Sequence, residues 1–114
     1  MNNRGAPAEQ WAAQYLQKQG LKLIEQNYRG RFGEIDLIMQ DGDTLVFVEV
    51  RLRRNTDFGG AAASIDIHKQ KRIISTSQQY LSGLAHTPAC RFDAVLLGDA
   101  QGKNAQWLKN AFDA

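Results

Sequence analysis

The strongest constraint on this chain is an acidic residue inside its most apolar segment. Residues 45–50 read Leu-Val-Phe-Val-Glu-Val. A run that is apolar on both faces is typical of a central β-strand covered on both sides. Glu49 interrupts this run, and a buried carboxylate is costly unless it is paired, protonated or bound to a metal. Glu49 is therefore the centre of the candidate site.

A second strand is predicted immediately before this one, within the segment 33–54. Asp41-Gly42 lies between the two strands and is a strong signal for a two-residue hairpin turn, because both residues tolerate positive φ. If these two residues form the turn, Gln40 pairs with Asp43. The register of the whole hairpin then follows by counting outward.

That count places three carboxylates and one guanidinium on a single face of the hairpin, because strand side chains alternate. The residues are Glu34, Asp36, Glu49 and Arg51. Opposed Cβ atoms lie about 5 Å apart and diagonal ones about 7–8 Å, so Asp36 and Glu49 are close enough to share an ion. Hard oxygen ligands favour Mg²⁺ or Mn²⁺. The alternative is a solvated acidic face on which Glu49 pairs with Arg51.

A third candidate acid lies on a helix predicted over residues 8–19, between Pro7 and Gly20. Glu9 leans toward the apolar stripe of this helix, which favours a place in the site. An acid in the first turn also stabilises the helix dipole, and the two interpretations stay open.

The remaining pattern completes an α/β domain. The sequence predicts strands at 21–28 and 90–97, a helix at 66–81 capped by Asp66, and a short closing element at 105–112. The polar loop 55–60 either closes over a ligand or is an ordinary connection. The expected order is α-β-β-β-α-β plus a short C-terminal element, forming a mixed central sheet flanked by helices.

Composition limits the other possibilities. The 114 residues suit one domain, with residues 1–5 as a flexible lead-in. The single cysteine, Cys90, excludes an internal disulfide. No membrane span or signal peptide is recognisable, which indicates a cytoplasmic protein. The oligomeric state stays open, a homodimer included.

Basic residues are unevenly distributed although the net charge is only +2. Cations are unfavourable at a helix N-terminus, yet they crowd the start of the second helix, and others follow the apolar strand. They are Lys69, Lys71 and Arg72 on the helix, and Arg53 and Arg54 after the strand. A surface that meets nucleic-acid phosphates explains them, and a solvated basic face is the alternative.

The spacing from Asp36 to Glu49-Val50-Arg51 resembles the PD-(D/E)xK nucleases, whose fold is restriction-endonuclease-like. More specifically, the chain resembles the YraN family of small bacterial proteins, which is similar to archaeal Holliday-junction resolvases. The resemblance rests on four segments and extends from Glu9 to about Trp107. The segments are GEIDLI at 33–38, VFVEVR at 46–51, Phe58-Gly59 and CRFD at 90–93.

The resemblance implies metal-dependent hydrolysis of DNA, rather than RNA, with branched DNA among the substrates. It implies Asp36 and Glu49 as metal ligands, Glu9 as the helix acid, and Gln70 as a polar residue facing the site. Arg51 stands where the nucleases carry lysine, and arginine cannot act as a base. Two alternatives therefore remain: a nucleic-acid-binding module that lost the chemistry, and a small interaction protein with an acidic patch.

Overall fold

The computed structural model describes residues 6–52 and 65–114. Residues 1–5, predicted to be a flexible lead-in, the predicted loop at 55–60, and Arg53 and Arg54 lie outside the described residues, as does Phe58-Gly59. Two helices and five strands form the described part. They are α1 (Ala6–Lys18), β1 (Lys22–Arg29), β2 (Glu34–Asp41), β3 (Thr44–Leu52), α2 (Ile67–Ser82), β4 (Ala89–Leu97) and β5 (Gln106–Phe112).

The strands form one mixed sheet in the order β1-β2-β3-β4-β5. β3 and β4 run parallel and the other neighbours are antiparallel. The connection between the two parallel strands includes α2. The expected α-β-β-β-α-β order is therefore confirmed, and the short C-terminal element is a fifth strand.

The two helices cover opposite faces of the sheet. Leu16 of α1 packs with Leu37, Val46 and Val48 in one buried cluster. Ile73 of α2 packs with Phe47 and other residues of the opposite face in a second cluster. β3 and β4 are thus covered on both sides, as the apolar run at 45–50 predicted. Among the described residues, neither helix has the length and apolar character that a bilayer span requires.

The predicted register of the β2–β3 hairpin is wrong by two residues. Asp41 pairs with Thr44, so Gly42 and Asp43 form the turn. Gly42 takes the positive φ of 60°, and glycine at the first central position suits a type II′ turn. Because the shift is an even number of residues, each side chain keeps its face. The shift moves the position opposite Glu49 from Glu34 to Asp36.

Candidate functional site

The candidate site lies where β2 and β3 separate. Their paired residues end at Leu37 and Val48. One residue beyond, the Asp36 Oδ2 accepts a hydrogen bond from the backbone N–H of Val50 at 2.8 Å. At this point the Asp36 side chain, instead of a backbone carbonyl of β2, accepts the hydrogen bond from β3. The carboxylate is therefore fixed between the two diverging strands.

Three carboxyl groups from three separate elements meet there. Asp36 of β2 shares one side-chain hydrogen bond with Glu49 of β3 and another with Glu9 of α1. The bond between them lowers the pKa of Asp36 and raises that of Glu49, as expected for two carboxyl groups that share one proton. The bond between Glu9 and Asp36 likewise raises the pKa of Glu9. Asp36 is thus the member common to both pairs, and we call the three groups Glu9, Asp36 and Glu49 the carboxylate cluster.

Burial and mutual repulsion hold protons on this cluster. Glu49 is only 5% exposed, and desolvation followed by the charge of Asp36 raises its pKa to about 8. The same two causes raise the pKa of Glu9 to about 7. Desolvation also raises the pKa of Asp36, against the lowering effect of the Val50 N–H. Carboxyl groups that retain protons near neutral pH are characteristic of functional sites.

Two cations contact the same oxygen of Glu49. The Lys69 Nζ lies 3.5 Å from Glu49 Oε2, and an Arg51 guanidinium nitrogen lies 3.7 Å from it. The sequence predicted Lys69 as a contact to the flanking phosphate backbone, but the structure places it inside the cluster. Asp66, the N-cap of α2, accepts from the Lys69 backbone N–H at 2.8 Å and so fixes where the helix begins.

Glu34 lies at the outer rim of the cluster. Its side chain is about half exposed and pairs with Arg29 at 3.7 Å. Its negative charge still raises the pKa of both Glu9 and Asp36. Asn27, which has a positive φ of 53°, hydrogen-bonds the Glu9 side chain and partly offsets the rise in the pKa of Glu9. Glu34 is therefore an electrostatic neighbour of the buried acids.

The other predicted site residues lie further out. The Gln70 amide donates to the Ile65 carbonyl at 2.9 Å, so it anchors the start of α2. Lys71 and Arg72 are exposed on that helix. The roles given to these residues stay predictions.

The donor set suits a hard divalent cation, because such cations prefer oxygen ligands and the cluster consists of carboxyl groups. Within residues 6–52 and 65–114, no three Asp, Glu, His or Cys side chains are already arranged as a ligand set. The cluster instead satisfies its oxygens by sharing protons. A bound cation would have to displace those protons and reorient the carboxylates.

Another buried acid, Asp93, lies outside the cluster; the sequence indicated no catalytic role for it and allowed a structural one. Asp93 of β4 is fully buried and accepts from Arg91 Nε, Trp107 Nε1 and the backbone N–H of Asn110, at 3.0–3.2 Å. Arg91 also contacts Asp41 at 2.9 Å. The available signal was an acid in an apolar strand two residues after an arginine. These contacts give Asp93 a structural role that ties β5 to the sheet.

Comparison with known proteins shows which family the chain belongs to. The family model described as "Uncharacterised protein family UPF0102", the YraN family, matches residues 8–97. A UPF0102 protein of Nitrosomonas europaea is 56% identical over 97% of this chain and 94% of its own length. One from Psychromonas ingrahamii is 56% identical over 97% and 90%, and one from Nitrosospira multiformis 51% over 96% and 92%.

Proposed function

The chain belongs to the UPF0102 protein family, and we propose that it is a magnesium- or manganese-dependent endonuclease that hydrolyses DNA phosphodiester bonds, including those of branched DNA. The observation that carries this proposal is the carboxylate cluster. Glu9, Asp36 and Glu49 come from three elements and lie together at an open end of the sheet, with Glu49 buried and the other two partly buried. Bringing these acids together costs folding free energy, and clusters of this kind are characteristic of functional sites.

In this proposal Asp36 and Glu49 are the principal metal ligands, with Glu9 and Glu34 completing the oxygen set. A divalent ion held by these oxygens lowers the pKa of a bound water and stabilises negative charge on a phosphate. The backbone N–H of Val50 holds Asp36 in place for that role. Positioning of this kind matters because small displacements of catalytic groups cost large factors in rate.

Lys69 and Arg51 have different roles in this proposal. Arginine stays protonated in proteins, so Arg51 orients and neutralises the scissile phosphate, with a planar fork suited to two phosphate oxygens. Lysine has an ammonium that exchanges a proton more readily. Lys69 contacts the same Glu49 oxygen as Arg51, and so supplies the lysine that the strand motif itself lacks. This placement supports the proposal that a site with arginine at position 51 is catalytic.

DNA binding is proposed for the basic residues around the cluster. Lys71 and Arg72 are exposed on α2 within three residues of Lys69. Arg53 and Arg54 follow β3 in the sequence and are assigned the same role by charge alone. Phosphate contacts of this kind give affinity without sequence preference. The choice of DNA over RNA rests on the similarity to junction resolvases.

A nucleic-acid-binding module without catalytic activity is the second candidate. Glu49 Oε2 already has two cationic partners, which balance its charge without a metal whenever the carboxyl group is ionised. The third alternative, an acidic interaction patch, is disfavoured because Glu49 is buried. An exposed patch would carry its charge in solvent.

The deciding experiment measures cleavage of linear duplex, forked and four-way-junction DNA with Mg²⁺, Mn²⁺ or a chelator. Asp36→Asn and Glu49→Gln should each lower the rate on the order of 10³-fold, equivalent to about 4 kcal/mol of transition-state stabilisation. Lys69→Met should lower it about 10²-fold, and Arg51→Lys by less than about tenfold. Glu25→Gln removes an exposed acid of β1 and should leave cleavage unchanged.

The enzyme proposal fails if the folded wild-type protein binds DNA but cleaves none of the substrates with either metal. That result would establish the binding module. Equal cleavage by wild type and Glu49→Gln would place the chemistry elsewhere in the chain.

A further inference from the structure

Phe32 is a large aromatic side chain that the fold leaves in solvent. It lies in the turn between β1 and β2 and is 53% exposed, whereas Phe47 and Phe92 are buried. A single exposed apolar residue is ordinary on a protein surface. Three further features of this turn set Phe32 apart: its rigidity, its charge and its distance from the carboxylate cluster.

The turn is held in one conformation against α2. The Gly30 N–H donates to the Gly33 carbonyl across the turn at 2.8 Å, and the Arg31 N–H donates to Gln79 Oε1 at 2.8 Å. A Cβ atom added at Gly30 would come within 2.7 Å of the same Gln79 oxygen. Gly33 has a φ of 152°, which favours glycine. Phe32 is therefore displayed on a fixed support, which reduces the entropy lost when it makes a contact.

Exposed arginines lie close to Phe32 in the sequence and on the helix packed against the turn. Arg29, the last residue of β1, and Arg31 of the turn both precede Phe32, and the side chain of Arg29 is 79% exposed. The Cβ of Arg72 lies 3.8 Å from the position that a Gly33 Cβ would occupy, so α2 brings a third arginine to the turn. An aromatic platform among cations is the combination that binds single-stranded nucleic acid.

The distance from the turn to the carboxylate cluster corresponds to a few nucleotides of a DNA strand. Phe32 precedes Asp36 by four residues, which is roughly 13 Å of extended chain. That span corresponds to about four stacked nucleotides at 3.4 Å each. A strand held at the cluster can thus reach Phe32 with a base a few nucleotides from the reacting phosphate.

We propose that Phe32 stacks against an unpaired base of the DNA strand bound at the carboxylate cluster, so that the protein prefers DNA with a junction between paired and unpaired segments. This inference rests on the proposed nuclease function and specifies its substrate class. Inside a duplex both faces of a base are covered by its neighbours, so only an unpaired or terminal base offers a free face to the ring. Arg29, Arg31 and Arg72 hold the backbone of the same strand.

The test compares binding to forked DNA and to a fully paired duplex of equal length, in chelator so that neither is cleaved. A 2-aminopurine in the unpaired arm reports stacking by its fluorescence. Phe32→Ala should weaken binding to the fork by about 5- to 150-fold, the range for one base–aromatic stack. Its affinity for the duplex should change by less than about twofold. Phe32→Trp should retain the preference for the fork.

Ile24→Ala is the matched control, because Ile24 is an exposed apolar residue (43%) near the other end of β1, roughly 25 Å along the hairpin. It should leave both affinities unchanged. Equal affinities of wild type and Phe32→Ala for the fork would overturn the stacking role, while the cleavage assay would still stand as the test of nuclease function. If the wild type binds neither DNA at low salt, the nuclease proposal fails and the stacking role fails with it.

Discussion

Asp93 and Glu49 are two buried carboxyl groups on neighbouring strands, and their surroundings are opposite. Asp93 is fully buried and receives hydrogen bonds from a guanidinium, an indole and a backbone N–H. Glu49 is nearly as buried, but it faces Asp36, and its cationic partners stand 3.5–3.7 Å away. One carboxylate is saturated by donors and the other is crowded by acids.

The contrast separates a structural carboxylate from a candidate functional one. Burial alone does not distinguish them, because both lie in apolar strands. The difference is in what the fold supplies to the charge. Around Asp93 it supplies hydrogen-bond donors from β4 and β5, so the carboxylate needs no other ligand. Around Glu49 it supplies the carboxyl group of Asp36, whose charge adds to desolvation in raising the pKa of Glu49 to about 8.

The largest change in the free energy of unfolding is expected when aspartate is replaced by asparagine at Asp93, and the same substitution at Asp36 is the comparison. Asp93→Asn should lower the free energy of unfolding by about 3–5 kcal/mol, because it leaves Arg91 partly unpaired and turns an amide toward donors. Asp36→Asn should change it by less than about 1 kcal/mol, because its amide oxygen can still accept from Val50 and its NH₂ can donate to the other acids. Urea denaturation in chelator measures both values. Equal losses would remove the contrast between the two centres.

A smaller change in the stability of the fold is expected when the pH is varied. The folded pKa of Glu49 is raised from 4.5 to about 8, so its protonated form stabilises the fold fully below pH 4.5. That contribution is lost as pH rises through about 8. The metal-free protein should therefore lose stability between these values, with Glu9 adding to the lower part of the window.

Glu49→Gln should flatten that pH dependence and stabilise the metal-free protein at pH 8.5 by on the order of 1–3 kcal/mol. Thermal or urea unfolding across pH 5–9 in chelator gives the comparison. Glu9→Gln is the companion variant and should flatten the profile mainly below pH 7. A Glu49→Gln protein that is less stable than wild type at pH 8.5 would show that the cluster is a stabilising feature, like Asp93.

The sequence predicted the elements better than the contacts between them. The apolar run with Glu49 identified β3, and Asp66 marked the start of α2 within one residue. The hairpin register was wrong because Gly42, rather than Asp41, begins the turn. The side chains of Asp36 and Glu49 nevertheless meet, since an error of two residues preserves the alternation of faces.

Contacts over long sequence separations were beyond prediction. Lys69 lies 20 residues after Glu49, and its approach depends on how α2 docks rather than on any local pattern. The partners of Asp93 include Trp107 and Asn110 of β5, a strand that the sequence indicated only as a short closing element. Helical and strand periodicities identify local structure, whereas these partners are set by tertiary packing.

Direct binding of Mn²⁺ in the absence of DNA tests the central claim, that the carboxylate cluster is a metal site. Isothermal titration at pH 8 should show one Mn²⁺ per chain, and Asp36→Asn and Glu49→Gln should each weaken it by more than tenfold. Affinity should fall at pH 6, because the cation must displace protons held by the cluster. Glu25→Gln should bind as wild type does. Unchanged Mn²⁺ affinity in Asp36→Asn and Glu49→Gln, or no binding by the wild type at millimolar Mn²⁺, would contradict the account.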